Sequence, residues 1–375
     1  MAASSFILPP FKIERYFARY EFSAPYLLCC SDCEPLLLPE LLSMAEPNDL
    51  LMWDEQRLGY TDSHGEPLLR NEIVTLYRTL TPDNCLVVTP VEGIFIALNV
   101  LLKKGDHCIV TFPGYQSLYE VARSIGCDVS YWEPVEDKGW YFDVDHLASL
   151  ITPHTKALII NFPHNPTGST ITKEQLEAIV ALARAHSLTI FSDEMYRGLE
   201  KDDTQTLPSV ADLYENGLVL SGMSKSFGLP GLRIGWLASQ NKEFLDACLI
   251  FKDYITICAS GPSQILSLIA LKAQKKILDR NRDIITHTSA AFAEFVSHHS
   301  DCFSWHPPKA GSIAFVRYHG SDGVTALAKK LLDAEGIMIL PSTVFEYHDA
   351  HWRLGLGRKN VPEILDRLDR FMRKL

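Results

Sequence analysis

Residues 222 to 235 read Gly222-Met223-Ser224-Lys225-Ser226-Phe227-Gly228-Leu229-Pro230-Gly231-Leu232-Arg233-Ile234-Gly235. A lysine stands between two turns rich in small residues. The run Gly217-Leu218-Val219-Leu220 before it is apolar and reads as a buried parallel strand. Lys225 therefore lies just past a strand's carboxyl end, the edge at which open α/β sheets bind ligands. A lysine so placed can condense with a carbonyl cofactor, and the planar guanidinium of Arg233 can hold that cofactor's phosphate.

Working outward, apolar strands alternate with helices through the middle of the chain. Strands are expected at Leu86-Val87-Val88, Cys108-Ile109-Val110, Val129-Ser130-Tyr131, Ala157 to Ile160, Leu188 to Phe191, Leu218 to Leu220 and Ile234 to Leu237. Their nearly continuous apolar character predicts burial on both faces of a mainly parallel sheet. The expected fold class is α/β. A large domain spans residues 41–260, and a smaller α+β domain spans 261–375, where helical periodicity runs to His299 before strands return. Residues 1–40, with helical spacing at Phe11 to Phe17, form an arm joined to the small domain.

Several strand ends carry groups suited to chemistry. Asn161-Phe162-Pro163-His164-Asn165-Pro166-Thr167-Gly168 and Ser192-Asp193-Glu194-Met195-Tyr196-Arg197 each follow an apolar strand, as does Phe112-Pro113-Gly114-Tyr115. Near the other end stands His351-Trp352-Arg353-Leu354-Gly355. A guanidinium there can take a carboxylate through two parallel hydrogen bonds.

In this order the segments resemble the class I/II aminotransferases, pyridoxal-phosphate enzymes of fold type I. The resemblance implies transamination of an amino acid through a Lys225 Schiff base, a quinonoid and a ketimine. Asp193 would keep the ring nitrogen protonated, Tyr196 and Asn165 would hydrogen-bond the ring's phenolic oxygen, and Tyr115 would stack on the ring. Arg233, Ser221, Ser224 and the helix start at Glu92-Gly93 would hold the phosphate, while Arg353 and Asn165 would bind the substrate carboxylate. Tyr60 would reach the partner subunit's cofactor, which makes the protein a homodimer with shared sites; a packed surface tyrosine is the other reading. His164 is read as structural. The Asn165-Pro166 bond is expected to be cis, a form that only X-Pro bonds adopt cheaply.

This chain departs from the family in three places. Gly222 replaces a usual serine, Glu92 sits where the phosphate usually meets small residues, and Asp32-Cys33-Glu34-Pro35 stands for a usual Gly-Glu-Pro. Asp32, Glu34 and Glu92 thus suggest a substrate with a positively charged side chain, unless all three point to water or pair with nearby arginines. They also raise a second activity, that of a lyase or cyclase acting on a hydroxylated arginine-like amino acid, of the capreomycidine- or enduracididine-forming type. A pyridoxal-phosphate regulator would add a DNA-binding module, for which the chain has neither spare length nor a basic segment.

Composition bounds the rest. The chain has 375 residues, 47% hydrophobic and 22% charged, with a net charge of -11. That balance opposes a nucleic-acid or membrane-surface role, both of which need clustered positive charge. With neither a leader pattern nor a membrane-length apolar run, the expected location is cytoplasmic. Nine cysteines, with only Cys29, Cys30 and Cys33 close together, read as buried hydrophobes, so no metal is expected.

Overall fold

The structure is a computed structural model and describes residues 8–201 and 203–374. The first seven residues of the expected arm lie outside the described residues. A seven-stranded sheet has the spatial order Cys85–Val88, Gly235–Ser239, Gly217–Gly222, Thr189–Asp193, Thr155–Asn161, His107–Thr111, Asp128–Trp132. Gly235–Ser239 runs antiparallel to both neighbours, and the other pairings are parallel.

Alternation along the strands builds a core on each face. Leu158, Ile160 and Val219 pack with Ile73 and Ile179 on one side, while Ile159, Leu218 and Leu220 pack with Ile94 and Leu118 on the other. Each such side chain contributes roughly 1.5–3 kcal/mol when fully buried. Helices start where sequence chemistry satisfies their first N–H groups. Lys173–Ala185 opens on a reciprocal box in which Thr172 accepts from Gln175 N and the Thr172 N–H donates to Gln175 Oε1 at 2.9 Å. Pro67–Val74 and Pro90–Leu101 open on proline, whose missing N–H costs nothing there.

Gly222 has a steric reason to be glycine. A Cβ there would lie 2.8 Å from the Gly235 Cα and 2.9 Å from the Ile234 carbonyl oxygen. The strand that leads to Lys225 is therefore pressed against its antiparallel neighbour at its very end.

Helix Gly261–Lys272, expected to open the small domain, packs on Pro67–Val74 and buries Ile265, Leu268, Ile269 and Leu271 in the core that holds Leu69 and Ile73. Helical periodicity is local, and it does not say which core a helix covers.

Beyond that helix, Leu340–Pro341, His351–Gly355, Ile313–Tyr318 and Phe303–Ser304 form an antiparallel sheet in that order. Helices Gln274–His298, Val324–Glu335 and Val361–Met372 cover it through Phe292, Leu327, Leu331, Ile364 and Leu368. The arm joins this unit: Tyr26–Leu27 pairs in parallel with Ile337–Met338, and Ile13 of helix Lys12–Tyr20 packs with Met338 and Phe345. No helix among the described residues is long and apolar enough to cross a membrane.

Candidate active site

A cavity of about 590 Å³ opens at the carboxyl edge of the large sheet, between that edge, the small-domain strand His351–Gly355 and the arm. Strands Thr155–Asn161, Thr189–Asp193 and Gly217–Gly222 end side by side there. Asn161 is the register partner of Asp193 and fixes two site residues at once. Its Nδ2 donates to the Asp193 carbonyl at 2.9 Å, and its Oδ1 accepts from the Asn165 N–H at 2.9 Å. The Asn165-Pro166 bond is cis.

Lys225, Asp193, Asn165, Tyr196, Tyr115, Ser224, Arg233, Arg353 and Asp32 all line this cavity. Lys225 Nζ donates to Ser31 Oγ at 2.9 Å, and burial holds its amine below the ordinary lysine range, against the pull of Asp32. Burial also lifts the Asp193 carboxyl to about 7, opposed by the Met195 N–H that it accepts at 3.1 Å and by the charge of Lys225. The Tyr196 hydroxyl and Ser224 Oγ are buried without a hydrogen-bond partner among the described residues. Burial raises Tyr196 and Tyr115 as well. The Tyr115 ring lies 5.0 Å from that of Phe11, and its hydroxyl donates to Glu14 Oε1 at 3.2 Å.

Arg353 is 2% exposed. Its Nε and Nη2 donate to the Cys29 carbonyl, and its Nη1 donates to Asn165 Oδ1 at 3.4 Å. Phe17 and Phe345 flank the guanidinium, 5.9 and 5.7 Å away. A cation so deeply buried without a carboxylate partner suits an anionic ligand.

At the opposite end, Pro90 and Val91 start a helix that no side chain caps, and they converge with Ser224 and Arg233. Thr89 Oγ1 is instead turned to the Arg233 carbonyl at 3.2 Å. Arg233 holds a left-handed backbone, φ 56°, uncommon for a residue with a side chain. An uncapped helix start, a free hydroxyl and a guanidinium suit a phosphate.

Four residues expected to bind the cofactor lie outside the cavity lining. Ser221 follows Leu220 on the strand; Leu220 lines the cavity, and alternation turns Ser221 to the other face. Glu92 accepts from Thr256 Oγ1 at 2.5 Å, away from the helix start. Gly93 packs instead, because its N–H is bonded to the Thr89 carbonyl at 2.8 Å and a Cβ would meet Val88 and Leu220. Tyr60 is 90% exposed. His164 bonds Thr167 at 2.8 Å, and burial lowers its pKa to about 3, so it is neutral.

These features match one another as a set. A buried carboxyl without an ion-pair partner among the described residues suits a basic ring nitrogen, the orphaned Tyr196 hydroxyl suits a ring oxygen, and the helix start with Ser224 and Arg233 suits a phosphate. Lys225 stands between them with a depressed pKa. The residues present fit pyridoxal phosphate.

The sequence pattern of the family described as "Aminotransferase class I and II" matches residues 43–368. The chain belongs to the class I and II aminotransferases. Its cofactor is pyridoxal phosphate. Capreomycidine synthase of Streptomyces vinaceus is 25% identical over 321 residues, covering 85% of this chain and 80% of that protein. Arginine–pyruvate transaminase AruH of Pseudomonas aeruginosa is 27% identical, covering 79% and 77%. The crystal structure of a PLP-dependent aminotransferase from Streptococcus suis superposes with a TM-score of 0.91 at 29% identity, covering 98% of each chain. The fold is thus fold type I.

In this member of the family the three carboxylates expected to select a cationic substrate each have a partner within the protein. Asp32 lines the cavity, but its Oδ2 accepts from Arg358 at 2.7 Å. Glu34 Oε2 accepts from the Lys359 N–H at 3.1 Å, and Glu92 turns to Thr256. Sequence reasoning missed Ser31, Asn161, Glu14 and Glu21. Asn161 was legible as a strand-end amide, whereas the arm residues gave no signal because their place depends on how the arm docks.

Proposed function

We propose that this aminotransferase-family protein transaminates an amino acid at Lys225. The observation that carries the reading is the meeting of Lys225 with the buried, carboxylate-free guanidinium of Arg353 in one cavity. Pyridoxal phosphate, when bound, supplies an electron sink for the amino acid's α-carbon. Asp193 keeps a proton on the ring nitrogen, Tyr196 donates to the ring oxygen, and Tyr115 covers the ring. Ser224, Arg233 and the helix start hold the phosphate. Arg353, steadied by Asn165, takes the α-carboxylate and so orients the Cα–H bond toward Lys225. The Lys225 amine, which burial makes easier to keep neutral, takes that proton at Nζ and returns it.

The test is an amino-acid panel with a keto-acid acceptor, read by cofactor absorbance and product mass. Turnover of an amino acid to its keto acid is expected, together with a borohydride-fixed adduct at Lys225 that Lys225→Ala lacks. An adduct on another lysine overturns the assignment.

The second reading is a lyase or cyclase acting on a hydroxylated arginine-like amino acid. Likeness to capreomycidine synthase supports it, and likeness to the arginine–pyruvate transaminase supports the first reading. A product formed without any keto acid and retaining its α-nitrogen favours the second.

The working unit in this reading is a homodimer with shared sites. Leu58, Tyr60 and Tyr254 are 86%, 90% and 89% exposed on adjoining segments, which Lys252 Nζ ties by donating to the Ser63 and Ile257 carbonyls. Such apolar exposure supports a subunit contact.

A further inference from the structure

Four carboxylates line the cavity: Glu14, Glu21, Asp32 and Asp193. Asp193 faces the cofactor's ring nitrogen in the reading above, and Asp32 is neutralised by Arg358. The two that remain come from the arm. Glu14, Phe17 and Glu21 recur at helical spacing on helix Lys12–Tyr20 and its C-cap, so they form one stripe, and all three line the cavity. Glu14 accepts a hydrogen bond from Tyr115 alone among the described residues, a neutral donor that leaves its charge unmatched. Glu21 is half-buried and makes no ion pair or side-chain hydrogen bond among the described residues.

The middle of the stripe anchors it to the substrate site, because Phe17 lies over the Arg353 guanidinium. An amino acid held by Arg353 thus has its α-carboxylate near Phe17, and Glu14 and Glu21 stand on the stripe to either side of that ring. A ligand in this cavity is indicated by the Tyr196 hydroxyl, 3% exposed and without a hydrogen-bond partner among the described residues, and by Arg353, with which no carboxylate among them pairs. Arg15 also borders the cavity; it is exposed, as Glu14 is, and sits on the next helix position, about 100° round from Glu14.

We infer that Glu14 and Glu21 form the side-chain subsite of this enzyme and select an amino acid whose side chain ends in a guanidinium or ammonium group. This rests on the amino-acid reading of the Lys225 site. Burial, with Asp32 and Glu14, raises the Glu21 carboxyl, while Arg358 and Lys225 pull it the other way.

The test compares L-arginine with L-citrulline, which has nearly the same shape and no charge, and with L-glutamate. Binding to the holoenzyme is followed by cofactor absorbance and by calorimetry. Arginine is expected to bind at least about tenfold more tightly than citrulline, the scale of one desolvated charge pair, with glutamate weakest. In the Glu14→Gln/Glu21→Gln double variant the arginine-to-citrulline ratio is expected to fall below about threefold while citrulline binding stays the same. Both side chains reach solvent or the cavity, and an unchanged unfolding midpoint and cofactor spectrum certify the variant's fold. Arg15→Gln serves as the second variant and is expected to raise the arginine preference. Equal binding of arginine and citrulline by the wild type, a ratio unmoved in the double variant, or glutamate preferred in an Arg15-dependent way overturns the subsite. If no amino acid alters absorbance or releases heat, the amino-acid reading itself fails and this subsite falls with it.

Discussion

Lys225 Nζ donates to Ser31 Oγ at 2.9 Å, a contact between residues 194 positions apart that ties the reactive lysine to the arm. The Ser31 carbonyl in turn accepts from Ser312 Oγ at 2.7 Å, so the small domain steadies the same residue. One hydrogen bond is worth about 1 kcal/mol net, so Ser31→Ala is expected to lower kcat/KM about fivefold with little change in the unfolding midpoint. Unchanged steady-state kinetics would show that the arm only covers the lysine.

Asp193 gives the cofactor-free protein a pH dependence of definite sign. Its carboxyl lies at about 7 in the fold against an ordinary 3.8. Between those values the native state keeps a proton that the unfolded chain has released, so this group lowers stability as pH rises through the window. Cofactor-free Asp193→Asn is expected to lose that slope and, at about pH 8, to be more stable than the wild type by on the order of 2–4 kcal/mol. Urea unfolding at the two ends of the window reads it, and equal slopes would remove Asp193 as the cause. The same variant is expected to bind pyridoxal phosphate more weakly.

Arg353→Lys keeps the charge and discards the planar fork. Charged hydrogen bonds carry about 1.5–3 kcal/mol, so kcat/KM is expected to fall roughly 10- to 100-fold, mostly through KM. A loss confined to kcat would instead place Arg353 in the chemical step.

The Asp32–Arg358 pair is mainly structural. Their side chains are 13% and 23% exposed, so Asp32→Asn leaves a largely buried guanidinium without its counter-charge. The expected loss is roughly 1–3 kcal/mol by denaturant unfolding, partly recovered in Asp32→Asn/Arg358→Met. Strict additivity in that cycle would refute the coupling.

In the dimer proposed above, Tyr60 would serve the partner's site. Sedimentation is expected to show a dimer, and Tyr60→Phe to weaken cofactor binding about fivefold, one hydrogen bond's worth, without dissociating it. A monomer that retains full activity on dilution would contradict both.

The sequence by itself determined the elements and the sheet-edge chemistry. Lys225, Asp193 and Asn165 each sit within a few residues of an apolar strand's end, and a parallel sheet necessarily brings such ends to one edge. Local alternation and turn chemistry sufficed for them. Only the tertiary structure decided which groups at that edge face the cavity. Ser221 and Glu92 stand one position from cavity-lining neighbours, and a single step along a strand or helix turns a side chain to another face. The arm was the least legible part. Glu14, Phe17, Glu21 and Ser31 reach the site through the docking of helix Lys12–Tyr20 on Met338 and Phe345, a contact between segments hundreds of residues apart. Sequence spacing carries no record of such a contact, because packing between distant surfaces, rather than local backbone preference, sets where that helix lies.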